Sequence, residues 1–221
     1  MQRPSVLVVD DEPANRMFAA KVLAAAGWSV AEAMDGTEAI TAAVRNIPDL
    51  VVMDLDMPGL DGWQATAAIR AAEPPLSSVP ILAYTSLRVT DAELLARGLD
   101  GRLPKPSSPD DFTEAAAGWR IDGQVDVARR LVAVFGEDEM TQLVTRFRAQ
   151  LAEALAGLAG GADDLHAHRI AGVSGTLGFA AVSEAWLRLS EGDASATDAA
   201  RRSARLAVAA IDRDWPVPAA S

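Results

Sequence analysis

The sequence of 221 residues has no cysteine, two histidines, one tyrosine and only 5% aromatic residues. Without cysteine there is no disulfide framework and no thiolate metal site, which is compatible with a reducing cytoplasm. Positive charge is also scarce, with 20 Lys and Arg against 31 Asp and Glu and a net charge of -11. This balance argues against nucleic acid as the main partner, because a phosphate backbone demands a basic face. Arg201, Arg202 and Arg205 accordingly read as a solvated helix face. No apolar run reaches the roughly 20 residues of a membrane-spanning helix. Met1-Gln2-Arg3-Pro4 passes directly into the first strand, leaving no room for a signal peptide's apolar region. A soluble cytoplasmic protein with no membrane partner is expected.

The acidity is unevenly shared. Residues 1–119 hold 17 acids against 9 Lys and Arg, and residues 120–221 hold 14 against 11. The punctuation changes at the same place. In the first part, short apolar runs alternate with helical spacing: Val6 to Val9, Ser29 to Ala33, Leu50 to Met53, Ile81 to Tyr84 and Gly101 to Pro104 read as strands. Between them, helices are expected from Pro13 to Gly27, Thr37 to Asn46, Gly62 to Ala72 and Asp91 to Arg97, with a last one from Pro109 to Ala117. Five βα units imply a doubly wound, five-stranded parallel sheet over residues 1–119.

From residue 120 to 221 no further β-branched run occurs, and apolar residues recur at three and four. Helices are expected over Val125 to Val134, Glu137 to Gly160-Gly161, Asp163 to Thr176, Ala180 to Glu191 and Ala194 to Arg213, before a Trp215-Pro216-Val217-Pro218 tail that cannot continue a helix. This pattern reads as an antiparallel four-helix bundle with a lead-in helix. The join, Gly118 to Gln124, is too short for a long flexible tether.

The chemistry gathers at the carboxyl ends of the strands, where open α/β sheets bind ligands. Val51-Val52-Met53 delivers Asp54 and then breaks at Pro58-Gly59 and Asp61-Gly62. The first strand delivers Asp10-Asp11, the fourth Thr85-Ser86, and the fifth Lys105-Pro106. A carboxylate can act as nucleophile toward phosphorus, but a dianionic phosphoryl group needs compensating charge to approach three carboxylates. Mg²⁺ takes oxygen ligands, which Asp10, Asp11 and Asp54 offer, and with Lys105 the charges sum to zero. Lys105 and the Thr85 hydroxyl are then placed to hold phosphoryl oxygens, since catalysis of phosphoryl transfer is largely positioning and charge neutralisation.

These residues resemble the receiver domain of response regulators over roughly residues 4 to 118. The match rests on Val9-Asp10-Asp11-Glu12-Pro13, on Asp54 through Gly62, on Thr85, and on Leu103-Pro104-Lys105-Pro106. The resemblance implies a flavodoxin-like fold with strand order 2-1-3-4-5, an order that belongs to the family and is not read from periodicity. It further implies phosphorylation of Asp54, Mg²⁺ held by Asp10, Asp11 and Asp54 with the Asp56 carbonyl, phosphate contacts from Thr85 and Lys105, and a cis Lys105-Pro106 bond. Receivers usually carry Tyr or Phe three residues before the lysine, where this chain has Arg102. An arginine cannot bury as a ring does, so the usual aromatic signal is expected to be absent or altered.

A second constellation lies in the helical part. On Ala167-His168-Arg169-Ile170-Ala171-Gly172-Val173-Ser174-Gly175-Thr176-Leu177-Gly178, a stripe of Ala167, Ile170, Ser174 and Leu177 faces inward and His168 sits off it. Ala171 and Gly172 lie one turn on, leaving nothing bulky beside the imidazole. Residues 123 to 213 resemble a histidine-phosphotransfer (HPt) domain, which implies that His168 accepts phosphate. Ala171 departs from that family, which has a phosphate-holding lysine there, and Arg169 points about 100° away around the helix. His166 reads as a solvated side chain.

Together the two resemblances imply a phosphorelay protein, not an enzyme with turnover beyond its own phosphorylation and dephosphorylation. Its partners would be a sensor histidine kinase or other phosphohistidine donor and a separate receiver domain. In one alternative the helical part is an unphosphorylated docking or dimerisation module. In another, Asp54-Leu55-Asp56 serves a haloacid-dehalogenase-like phosphatase, although that motif normally follows the first strand.

Overall fold

In the computed structural model, residues 3–121, 125–158 and 164–215 are described. The chain divides into two compact units, residues 1–120 and 121–221.

The first unit alternates strand and helix: β1 (Ser5–Val9), α1 (Pro13–Ala25), β2 (Ser29–Ala33), α2 (Gly36–Arg45), β3 (Leu50–Met53), α3 (Gly62–Arg70), β4 (Ile81–Thr85), α4 (Asp91–Ala96), β5 (Gly101–Pro104) and α5 (Pro109–Ala117). A 3₁₀ turn at Leu76–Ser78, not expected from the sequence, leads into β4. The strands form one parallel sheet in the order β2-β1-β3-β4-β5. β3 and β4 are buried throughout, as their near-continuous apolar runs require for strands covered on both faces, whereas the edge strand β2 exposes Ser29, Glu32 and other positions. One face of the sheet packs Leu7, Val51, Met53 and Ile81 against apolar residues of α2, α3 and α4.

Register matters for function. Val9 pairs with Met53, Met53 with Ala83, and Thr85 with Pro104, so the four strands end nearly level. Backbone hydrogen bonds hold the residues just beyond: Asp54 N donates to Val9 O at 2.9 Å and Lys105 N to Thr85 O at 2.9 Å. The order in which successive strands are added reverses between β1 and β3, which is the topological switch point of this sheet.

The loop after β3 is brought back tightly. Asp61 caps α3 by accepting from Gln64 N at 2.8 Å while Gln64 Oε1 accepts from Asp61 N at 3.1 Å. Gly62 begins that helix directly beneath the acidic residue, and a Cβ there would stand 2.0 Å from the Asp54 carbonyl oxygen. Only glycine allows this approach.

The second unit is helical: α6 (Asp126–Phe135), α7 (Glu137–Gly157), α8 (Asp164–Leu177), α9 (Ala180–Ser190) and α10 (Thr197–Asp214). The last begins three residues later than expected because Ala194–Ala196 forms a 3₁₀ turn stabilised by Asp193, whose side chain accepts from Ser195 N. α8 packs along α9 and α7, α10 along α7 and α9, and α6 along α7. Arg148 of α7 reaches Asp212 of α10 through two hydrogen bonds of 2.8 and 2.9 Å, and Trp186 Nε1 of α9 donates to Ala200 O of α10. Gly178 ends α8 at φ +86°, and a Cβ there would strike Val127. The expected end of α7 at Gly160-Gly161, the start of a helix at Asp163, the residues after Trp215 and part of the join lie outside the described residues. Among the described residues, no helix is long and apolar enough to cross a membrane. Arg201 is not a freely solvated side chain: it is largely covered and pairs with Asp198 at 2.8 Å.

Candidate functional site

The sheet brings together Asp10, Asp11, Asp54, Thr85 and Lys105. Asp10, Asp54 and Thr85 are 1%, 4% and 2% exposed, and Asp11 is exposed at the rim. Buried carboxylates are expensive unless they are paired, and the pairing here is specific. Lys105 Nζ donates to Asp54 Oδ2 at 2.6 Å and stands in an ion pair 2.7 Å from Asp10 Oδ2. The Lys105–Pro106 peptide is cis.

Backbone and neighbouring side chains fix the remaining oxygens. Asp54 Oδ1 accepts from Asp56 N at 3.2 Å, Asp10 Oδ1 from Glu12 N at 3.0 Å, and Asp10 O from Arg16 Nη1 at 2.7 Å. Thr85 Oγ1 accepts from Leu87 N at 3.1 Å, which sets the start of the β4–α4 loop. The Asp56 side chain is exposed and lies outside the carboxylate cluster, so its contribution is its main chain.

The electrostatics leave the site short of positive charge. Burial pushes the Asp54 carboxyl above its usual range, against the opposing effects of Lys105 and the Asp56 N–H. Burial works against the Lys105 ammonium as well, but hydrogen bonds and charge from Asp10 and Asp54 outweigh it and its pKa rises. Lys105 is therefore a fixed cation, yet one ammonium cannot neutralise three carboxylates. One oxygen from each of Asp10, Asp11 and Asp54 lies within 4.8 Å of the others, an all-oxygen donor set suited to a hard divalent cation.

The family model for the response regulator receiver domain matches residues 6–117. The chain belongs to the response regulator receiver family. Among curated proteins, this receiver is 41% identical over 120 residues to the sensor protein GacS of Pseudomonas syringae pv. syringae, and 34% identical over 116 residues to the CAI-1 autoinducer sensor kinase/phosphatase CqsS of Vibrio cholerae. Each match covers 52% of this chain but only 13% of GacS and 17% of CqsS. Among solved structures, the Vibrio cholerae chemotaxis protein CheY4 superposes on the receiver with a TM-score of 0.50 at 28% identity, covering 54% of this chain and all of that one. The family model ends at residue 117, so this assignment concerns the first unit alone.

Two features of the receiver site escaped the sequence reading. Tyr84 places its ring 4.7 Å from Lys105 Nζ, and Gly62 gives α3 its approach to Asp54. A tyrosine next to the strand-end threonine was the available signal for the first. Arg102 is exposed, with Nη1 donating to Val89 O at 3.3 Å, so its side chain ties β5 to the β4–α4 loop and does not occupy the interior.

His168 lies in the other unit. It is exposed on α8, while Ala167, Ile170, Ser174 and Leu177 are buried. Gly172, one turn on, has open space where a Cβ would stand, so packing within this chain does not demand a glycine there. Ala171 is buried, and Ser183 Oγ of α9 donates to its carbonyl at 2.9 Å. His166 is half-buried, unlike the solvated side chain expected.

Proposed function

We propose that this chain is a phosphorelay protein in which Asp54 accepts a phosphoryl group from a phosphohistidine donor and His168 carries one to or from the aspartate of a receiver. The observation that carries the first half is the Lys105 ammonium held between Asp10 and Asp54 at adjacent strand ends. An Asp54 oxygen forms the bond to phosphorus as the bond from phosphorus to the donor nitrogen, or to the acyl oxygen of acetyl phosphate, breaks and the donor leaves. Lys105 and the Thr85 hydroxyl receive the phosphoryl oxygens. Asp10, Asp11 and Asp54, with the Asp56 carbonyl, would hold Mg²⁺, which supplies the charge neutralisation that lets a dianion approach. The donor would be a sensor histidine kinase or another phosphohistidine protein. The chain turns over no separate substrate.

For the second half, the support is the exposed His168 imidazole with open space at Gly172, on a unit read as an antiparallel four-helix HPt bundle. Imidazole is mostly neutral near pH 7 and can take a phosphoryl group. The burial of Ala171 favours a second reading, in which this unit docks or dimerises without being phosphorylated.

Intact-mass and acid/alkali lability analysis separates the two after incubation with Mg²⁺ and phosphodonor. Wild type, Asp54→Ala and His168→Ala are treated with acetyl phosphate and, separately, with an independent phosphorylated receiver. An acyl phosphate that requires Asp54 supports the receiver half, and its absence overturns it. An alkali-stable, acid-labile phosphate that requires His168 supports the relay, and its absence with every receiver donor leaves the docking module.

A further inference from the structure

We propose that Tyr84 is a positioning residue for phosphoryl transfer at Asp54, its buried ring face holding the Lys105 ammonium in place while the partners of that ammonium change. This inference rests on the receiver function proposed above.

Tyr84 is the penultimate residue of β4, and its neighbour Thr85 supplies the strand-end hydroxyl. Alternation along a strand sends the two side chains to opposite faces. Thr85 thus serves the site directly, while Tyr84 passes to the α1–α5 side, where Lys105 Nζ stands 4.7 Å from its ring centroid. The ring is not free to tilt. Phe112 of α5, fully buried, meets it edge-on at 4.8 Å and 66°, and Phe18 of α1 meets Phe112 at 5.7 Å and 76°.

The need for such a support follows from the reaction. Before transfer, Lys105 is held by the Asp10 and Asp54 carboxylates. When the Asp54 oxygen bonds to phosphorus and the leaving group departs, Asp54 becomes a mixed anhydride whose negative charge sits on the phosphoryl oxygens. The ammonium must then exchange its Asp54 contact for those oxygens while Asp10, still a carboxylate, holds it back. An aromatic face attracts the cation without a strong acceptor competing with those oxygens for its three N–H donors. Tyr84 therefore contributes through Lys105 and touches no reacting atom.

The test uses the full chain, whose composition is favourable: Tyr84 is the single tyrosine, and Lys21 and Lys105 are the only lysines. Lys21 is exposed on α1 and serves as the internal reference. In wild type, ring shielding should place the ε-methylene protons of Lys105 upfield of those of Lys21. Coincident signals would overturn the proposal before any variant is made. In Tyr84→Leu the Lys105 signal should move to the Lys21 position, and the maximal rate of Asp54 phosphorylation by acetyl phosphate at saturating Mg²⁺ should fall about tenfold, the scale of a partly desolvated cation–π contact. The half-saturating Mg²⁺ concentration should not change. Tyr84→Phe should keep the upfield shift and restore the rate to within about twofold, because the ring face is retained. Equal losses in Leu and Phe, or a wild-type rate in Leu with only a lower melting temperature, would refute the positioning role. If wild type itself takes no phosphate at Asp54, the receiver function fails and this inference falls with it.

Discussion

Replacing Lys105 with methionine keeps the approximate volume and removes the charge that joins Asp10 and Asp54. The two carboxylates are almost fully buried and the lysine side chain is 16% exposed, with contacts of 2.7 and 2.6 Å. Deleting one partner of a buried ion pair typically costs about 3–5 kcal/mol, because the partner charge is left behind in a poorly solvated place. The partial exposure of Lys105 puts this case near the lower end, about 3 kcal/mol, a substantial share of the roughly 5–15 kcal/mol of a whole domain. With a divalent ion the balance changes. The variant cluster carries -3 without Mg²⁺ and -1 with it, against -2 and zero for wild type, so the variant should bind Mg²⁺ more tightly. An extra unit of negative charge that tightens Mg²⁺ binding about 100-fold over wild type gives the variant roughly 2.7 kcal/mol more stabilisation at saturation than wild type gains, enough to restore most of the loss. Thermal melts in chelator and in saturating Mg²⁺ read this directly: a large drop in chelator that nearly closes in Mg²⁺. Equal drops in the two conditions would mean that Lys105 acts through packing alone, and the electrostatic account of the site would be refuted.

Three further outcomes are expected. Gly62→Ala forces a methyl group against the Asp54 carbonyl at 2.0 Å, so it should cost about 1–3 kcal/mol in the melt and abolish Asp54 phosphorylation by displacing the acceptor. Asp54→Asn should raise the stability of the metal-free protein at neutral pH. Because burial raises the folded pKa of Asp54, the unfolded chain releases its proton first, near 3.8, and stability is lost as pH climbs from there through the folded value. The advantage of the asparagine should therefore vanish below that pH, and urea titrations across it check the sign. In the helical unit, the Asp212 side chain is 3% exposed and doubly bonded to Arg148, so Arg148→Ala should destabilise by about 3 kcal/mol. Arg148→Met with Asp212→Leu should recover much of that loss, as a double-mutant comparison of unfolding would show.

The alternation of apolar strands with helical spacing was legible without coordinates, because strands buried on both faces must be continuously apolar and their helices must be punctuated by caps and glycines. The placement of Asp10, Asp54, Thr85 and Lys105 at strand ends followed from the same pattern. The Leu76–Ser78 turn and the late start of α10 were not legible. Short 3₁₀ turns have no period of their own, and the local hydrogen bonds of Asp193 decide the second. The inward turn of Ala171 was hidden too, since two adjacent positions on a helix differ by about 100° and only the packing of α9 decides which is covered.

What the sequence by itself determined is the chemistry available: three carboxylates, a hydroxyl and an ammonium after apolar runs, and an imidazole off the core-facing stripe. Periodicity and residue type are local properties, and they suffice for that. Tertiary structure alone decided that Lys105 lies between two buried carboxylates and over the Tyr84 ring, that Asp56 contributes main chain and not its carboxylate, and that Arg102 binds the Val89 carbonyl. These relations join residues up to 95 positions apart, from Asp10 to Lys105. Distances of that kind are set by strand order and register, which come from the packing of the whole sheet and which no single stretch of sequence encodes.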